Sequence, residues 1–249
     1  MTLFVSKSTA KNLCSTILYQ LMFIGGTAML ALNIYSLICA CIGFSYGLII
    51  LLKYDKTPPL YFKLLVFAIA SQVFTRAFYT VALLCYGDEP KKIFNIGFLG
   101  FGTFFMFIYF VNVGEIDNLV DPHKKRFTKY RLIPVILPTV ELIISLIAAF
   151  SDHASLSIRF IYVLLSLFAG SAGYFNLKHL IIFDVKGGKI DSIRKFNLMC
   201  IVFEILILSE VGLYCYNLEN LTIVAEILIG IMYIIFLPVL YKGVKKWNQ

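Results

Sequence analysis

The feature that most constrains this chain is a series of apolar runs, each about 20 residues long or longer. A helix of that length crosses a hydrocarbon core of ~30 Å. Within lipid, backbone polar groups must pair inside a helix or a closed barrel, and the alternating pattern of barrel strands is absent. Only 14% of the residues are charged, whereas soluble domains have about a quarter. The sequence therefore predicts an all-α integral membrane protein.

Polar and basic segments divide the chain into seven predicted spans within one membrane domain of residues 1–249. The spans cover residues 30–52, 60–85, 93–113, 132–150, 158–183, 196–216 and 221–241. Residues 1–29 allow three interpretations. They form an amphipathic or externally packed helix before the first span, or a signal peptide that ends near residue 28. Alternatively, residues 13–52 hold two spans joined by a tight turn near Gly25–Asn33.

A basic segment, Pro122–Arg131, lies near the middle of the chain. Its five cations are Lys124, Lys125, Arg126, Lys129 and Arg131. On the same predicted side lie residues 53–59, 184–195 and the tail, so this side holds fourteen Lys and Arg, whereas the loops on the other side hold two. The positive-inside rule then places the N-terminus outside and the C-terminus inside. Lys7 and Lys11 in the N-terminal segment are the one conflict, which a signal peptide would remove.

The net charge of +8 has a simpler explanation than nucleic-acid binding. The positive residues of the chain concentrate in short loops between predicted spans, where they set topology and contact anionic lipid at the inner face. The expected partners are therefore the lipid bilayer, its anionic lipids and a small-molecule ligand, without nucleic acid.

An odd number of spans gives the first three helices and the last three the same polarity, with the fourth as a link. This is the geometry of a parallel 3+1+3 arrangement about an axis along the membrane normal. Ile34–Gly43 can be laid on Ile161–Gly170 with matching Ile, Tyr, Leu and Gly. Such matches are common in apolar sequence, so the repeat is one hypothesis among others.

Ionisable residues inside the predicted spans are the best indication of function, because each costs roughly 2.5–3.5 kcal/mol at mid-bilayer on insertion scales. Arg76, Glu210 and Glu226 fall in the outer halves of predicted helices 2, 6 and 7. Together with Glu141 and Glu204 they are the candidates for a ligand or ion pocket between predicted helices 2, 6 and 7. The alternative is a structural Arg76–Glu210 pair with Glu226 at the interface. Glu141 and Glu204 lie deeper without an obvious cationic partner, so we expect them to be protonated, hydrogen-bonded or facing water.

Signatures of catalysis and metal binding are absent from the sequence. There is no HExxH, GxSxG or Walker motif, and His123, His153 and His179 do not form a ligand set. We therefore expect no enzyme activity, no metal and no cofactor.

Three functions agree with this pattern: a small secondary transporter, a seven-helix receptor or sensor that acts through a partner, and a structural or accessory subunit of a membrane complex. Seven spans with an external N-terminus resemble the overall plan of opsin-type receptors and of small sugar-carrier families. The resemblance implies no particular site residues, and the buried lysine that a retinal Schiff base needs is missing from the last span. The transporter is the interpretation preferred here, because it accounts for charge inside the spans.

Overall fold

The computed structural model describes residues 7–53, 60–86, 96–121, 125–150, 156–182, 189–216 and 218–247. These ranges are helical and contain no strand. The α-helices are α1 (Lys7–Lys53), α2 (Leu60–Tyr86), α3 (Ile96–Val111), α4 (Asp117–Val120), α5 (Thr128–Leu132), α6 (Ile136–Ala149), α7 (Leu156–Ile181), α8 (Lys189–Cys215) and α9 (Glu219–Trp247). Seven helical stretches in the described ranges are long and apolar enough to cross a membrane, which confirms the predicted all-α class and number of spans.

The first span belongs to one uninterrupted helix of 47 residues. The stretch within α1 that is apolar enough to cross the membrane covers Met29–Lys53. A turn near Gly25–Asn33, one of the three interpretations of the N-terminal segment, is absent because α1 continues through it. The first residues of the chain, 1–6, lie outside the described ranges.

The third span continues further than predicted, and the prediction of a loop from residue 114 is wrong. A π-helical turn, Asn112–Ile116, follows α3 directly, and α4 continues to Val120. The extra residue in a π turn rotates the following side chains, and such turns are frequent at functional sites. Here both Asn112 and Ile116 are buried.

The fourth span starts earlier than predicted, at Thr128, and is assembled from several short pieces. A 3₁₀ turn, Ile133–Val135, separates α5 from α6 and carries Pro134 near its start. Pro138 lies in the first turn of α6, where its missing N–H breaks no helical hydrogen bond. The two prolines therefore lie where the helix type changes at the beginning of the span.

The helices form a ring in which α1 packs on α2 and α9, α3 packs on α2 and α7, and α8 packs on α7 and α9. Helix α6 lies outside this ring, against α7. Aromatic rings fill the centre: the Phe203 centroid lies 4.9 Å from Phe104, 5.2 Å from Tyr233 and 5.6 Å from Phe236. Large exposed apolar side chains cover the outside, as a lipid-facing surface requires; examples are Ile42, Phe74, Leu84, Ile147 and Phe160.

Gly43 allows a close approach of α1 to α9. A Cβ placed there would collide with the backbone carbonyl oxygen of Tyr233 on α9, which cannot rotate away. We expect Gly43→Ala to lower the free energy of unfolding by about 1–3 kcal/mol, as overpacking usually does. Chemical denaturation in detergent micelles measures this, with Gly114→Ala as control because a Cβ at Gly114 meets nothing within 4 Å. Equal effects at both glycines would contradict the packing argument.

Candidate functional site

Arg76 is the centre of a buried charge cluster that joins α2 to α8 and α9. Its Nη1 and Nη2 donate to the two carboxylate oxygens of Glu210 at 3.2 and 3.1 Å. Nη1 also lies 2.7 Å from Oε1 of Glu226. Arg76 is only 1% exposed and Glu226 only 4%, so water does not solvate these charges as it would at a surface. The structure thus brings together three of the five ionisable residues singled out in the sequence.

Aromatic and amide side chains surround the guanidinium of Arg76. Its Cζ lies 5.2 Å from the ring centroid of Phe101 and 5.9 Å from that of Tyr233, within range for cation–π attraction. The Tyr233 hydroxyl donates to Gln72 Oε1 at 2.8 Å, and Gln72 Nε2 donates to the carbonyl of Gly100 at 3.1 Å. These contacts fix the position of Arg76, which belongs to α2, against α3 and α9.

The charges of this cluster do not balance: one guanidinium faces two carboxyl groups. No described residue donates a hydrogen bond of good geometry to Glu226, and Arg76 Nε has no hydrogen-bond acceptor among them. The Arg76–Glu226 contact is therefore an ion pair without an aligned hydrogen bond. The sequence analysis had considered Glu226 interfacial, whereas the structure packs it beside Arg76. A second carboxyl group next to one cation is a place where an additional positive charge would be stabilised.

Glu141 and Glu204, the other two predicted residues, form a separate pair. Glu141 on α6 and Glu204 on α8 lie within hydrogen-bond reach of each other, and they are 7% and 1% exposed. Neither carboxyl accepts a hydrogen bond of good geometry from a described residue. They therefore do not belong to the Arg76 cluster, in contrast to a single pocket that would contain all five residues.

A third polar group, which we call the basic-end network, contains Arg131 of the predicted basic loop, whereas its other members were not among the candidate site residues. It lies where α4, α5 and α7 meet. Lys178 Nζ lies 2.5 Å from Asp117 Oδ1 and 3.0 Å from Asp121 Oδ2, and Arg131 binds both Asp121 oxygens at 2.7 Å. Asp121 is fully buried. The network ties the end of the third span to the start of the fourth and the end of the fifth.

His179 extends this network toward the middle of the bundle. Its Nε2 lies 2.9 Å from Asp117 Oδ1, and its Nδ1 lies 2.8 Å from Asn112 Oδ1. Asn112 Nδ2 in turn donates to Asn176 Oδ1 at 2.8 Å. His179, which the sequence analysis considered only as a possible metal ligand, is completely buried. The available signal was the spacing of Asn112, near the end of the predicted third span, and of Asp117 and Asp121 in the following segment, which was assigned to a loop; the three residues lie roughly one helical turn apart.

The predicted cytoplasmic basic loop is partly helical. Lys125 and Lys129 are exposed, as expected for residues that contact lipid headgroups or solvent. Arg131 instead binds Asp121 from within α5. Lys124 and the side chain of Arg126 lie outside the described residues.

The carboxyl group of Asp117 lies beyond the apolar part of the third span, and its pKa is below the usual value of 3.8. Partial burial alone would raise this pKa, but hydrogen bonds to His179 and Lys178 outweigh the effect. A depressed pKa means that the ionised group stabilises the folded state above the ordinary pKa. That stabilisation is lost as the pH falls through the folded-state value.

Asp117→Asn is therefore expected to reduce the loss of stability in acid. The melting temperature of the wild type should fall as the pH drops below about 4, and part of this fall should be missing in the variant. Thermal unfolding in detergent across this pH range measures the difference. Glu115→Gln, in the adjacent π turn, is the control, and an identical acid response for Asp117→Asn and the wild type would contradict the prediction.

A groove of about 510 Å³ lies between α3, α6 and α7. Its lining is mostly apolar, with hydroxyl-bearing side chains from Tyr109, Thr139, Ser166, Ser171 and Tyr174. Gly170 lines the groove and also approaches Glu141, since a Cβ at Gly170 would lie 3.4 Å from Glu141 Oε2. The groove is therefore next to the Glu141–Glu204 pair but is not lined by it.

Searches with protein-family models, among curated proteins and among solved structures found no match to this chain. Among the residues with described placement, no set of three or more His, Cys, Asp or Glu has the geometry of a metal site. The function is accordingly argued from the charge clusters and the packing of the helices.

Proposed function

We propose that this multi-pass membrane protein is a small secondary carrier whose two three-helix units move relative to each other. The first unit is α1–α3 and the second is α7–α9, with α5 and α6 as the link between them. The distribution of basic residues supports an external N-terminus and an internal C-terminus, so the basic-end network lies at the inner side. The Arg76 cluster then lies toward the outer side.

Helix contacts support the parallel 3+1+3 arrangement. Along α1 and α9, Tyr35 contacts Ile227 and Gly47 faces Leu237, so these helices run parallel. Along α3 and α7, Gly102 faces Phe168 and Asn112 binds Asn176, so they are parallel as well.

An exchange of α1 with α7, of α2 with α8 and of α3 with α9 therefore maps one contact between the units onto the other. This is the relation that a two-fold axis along the membrane normal produces.

The observation that carries the proposal is the position of Arg76, which belongs to the first unit while both of its carboxylate partners belong to the second. The basic-end network makes a second bridge, because Asp117 follows the first unit and Lys178 belongs to the second. In carriers with repeated units, substrate binds between the units and the contacts on the two sides open in turn. Charge pairs that can separate and hydrate are suited to such alternation.

The experiment is a ligand screen followed by flux measurement. The melting temperature of the purified protein is measured against sugars, amino acids, nucleosides and lipids. A ligand that binds the folded state at a hundred times its dissociation constant stabilises it by about 2.7 kcal/mol. Ligands that raise the melting temperature are then tested for counterflow into liposomes.

The flux measurement compares the wild type with Glu226→Gln and Glu115→Gln. We expect counterflow in the wild type and in Glu115→Gln, and an altered rate in Glu226→Gln, because the excess carboxylate beside Arg76 is removed. A ligand that binds without counterflow would overturn the carrier in favour of a receptor.

A structural or accessory subunit is the second candidate, because tight burial of Arg76 between two carboxylates also suits a helix lock. No thermal shift with any compound, together with no flux, would favour it.

A further inference from the structure

We propose that Glu141 and Glu204 form a binding site for one proton, held jointly by the two carboxyl groups. The role of this proton as the coupling ion rests on the proposed carrier function, whereas the site itself does not. The pair is distinct from the Arg76 cluster and joins the link helix α6 to α8 of the second unit.

The first argument is the way in which α7 makes room for the pair. A Cβ at Gly173 would collide with the carboxyl group of Glu204, whereas one at Gly170 would collide with Pro138 of α6 and lie 3.4 Å from Glu141 Oε2. Two glycines one turn apart on α7 therefore leave a notch in which the carboxyl groups from α6 and α8 meet. An alanine at either position would fill part of this space.

The second argument is the chemistry of the contact. Two ionised carboxylates have no donor between them, so they repel each other and cannot hydrogen-bond. One shared proton turns the same contact into an O–H···O⁻ hydrogen bond, which is among the stronger kinds in proteins. Because the groups are 7% and 1% exposed, water cannot supply the missing donors as it would at a surface.

The third argument is an amide aimed at the site. Asn176 on α7 is 1% exposed, and its Nδ2 has no hydrogen-bond acceptor of good geometry. The amide is nevertheless close enough to interact with the carboxyl group of Glu204. When the pair loses its proton, this N–H is the donor available to the Glu204 carboxylate. Asn176 Oδ1 already accepts from Asn112, which contacts His179 of the basic-end network. Loss of the proton therefore changes the hydrogen bonding of Asn176, which Asn112 links to the basic-end network.

Other ionisable groups near the pair are few or already engaged. On α8, the Cys200 thiol lies one turn before Glu204 and interacts with it. On α7, Lys178 and His179 bind Asp117 at the basic end, so their donors are directed away from the pair. The positive charge that the carboxyl pair needs is thus best supplied by a proton from solution.

Infrared spectroscopy tests the site without knowledge of the substrate. The reconstituted wild type should show the C=O stretch of a buried protonated carboxyl group, and this band should disappear as the pH is raised from mildly acidic to alkaline. Glu141→Gln/Glu204→Gln should lose this band, because no carboxyl group remains at the site. Glutamine is chosen because it imitates the protonated acid in shape and donates an N–H. Glu115→Gln should keep it. A band in the double variant equal to that of the wild type would overturn the proposal.

A second variant covers the case in which the double variant does not fold. Glu141→Gln removes the neighbouring like charge, so the pH midpoint of the Glu204 band should fall by about one pH unit or more. An unchanged midpoint would overturn the shared site. The melting temperature must also be independent of Na⁺ at constant ionic strength; stabilisation by Na⁺ that is lost in Glu141→Gln would assign a metal cation in place of the proton.

Flux measurements distinguish the proposed proton site from the proposed carrier function. If the carrier proposal is right, the double variant should exchange substrate by counterflow but no longer accumulate it in response to a pH gradient. Accumulation equal to that of the wild type would overturn the coupling role. Absence of all flux with a normal carboxyl band would refute the carrier and leave the proton site intact.

Discussion

Arg76→Ala is expected to lower the free energy of unfolding by about 3–5 kcal/mol, the usual cost when one member of a buried ion pair is removed. The reason is that Glu210 and Glu226 would remain in the protein interior without their cation. The cation–π contacts with Phe101 and Tyr233 would be lost as well. Chemical denaturation in detergent measures the change.

Two further variants test this explanation. Lys63→Ala removes a half-buried cation from the same helix and should cost much less. Arg76→Ala/Glu226→Gln should recover part of the lost stability, because one of the two orphaned charges is gone. If the double variant is as unstable as Arg76→Ala, the repulsion between unpaired carboxylates is not the cause.

Asp121→Ala is expected to cost about 3 kcal/mol, the lower end of the range for a broken buried ion pair. Asp121 is fully buried and is bound by both Arg131 and Lys178. Its loss releases α5, which carries Arg131, from the end of the third span. The effect stays at the lower end because Lys178 keeps Asp117 as a partner and Arg131 is partly exposed. Denaturation in detergent again measures the free energy of unfolding.

The control for this prediction is Glu115→Ala, which removes a half-buried carboxylate from the neighbouring π turn. It should change the free energy of unfolding by a fraction of the Asp121 effect. Asp121→Ala combined with Lys178→Met should cost less than the sum of the two single losses, because the two residues belong to one network in which Lys178 also binds Asp117. Strictly additive losses would show that they contribute independently.

In the proposed carrier, these two predictions concern the two bridges between the three-helix units. In a carrier, weakening one bridge also shifts the balance between outward-open and inward-open arrangements. Milder variants, such as Glu210→Gln for the Arg76 cluster and Asp117→Asn for the basic-end network, are therefore suited to flux measurements. Opposite effects on the accessibility of the two sides would support alternation between them.

The number and order of the spans could be read from hydropathy because a membrane helix must satisfy its own backbone within one segment. Charge inside those spans pointed to Arg76, Glu141, Glu204, Glu210 and Glu226 for the same local reason, since each is costly wherever it sits along the helix. The division of these five residues into two sites could not be read in this way. It depends on which helix faces which neighbour, and each residue's neighbours are far away in sequence.

The ends of the spans show the same limit. Residues 114–131 are polar enough to be assigned to a loop, and only the fold supplies the partners that let Asp117 and Asp121 continue as helix. Hydropathy and charge by themselves thus determined an all-helical chain with seven spans and buried ionisable groups. The tertiary structure alone decided that Arg76 serves two carboxylates, that Glu141 meets Glu204, and that His179 is buried, because these contacts arise from long-range packing of helix faces.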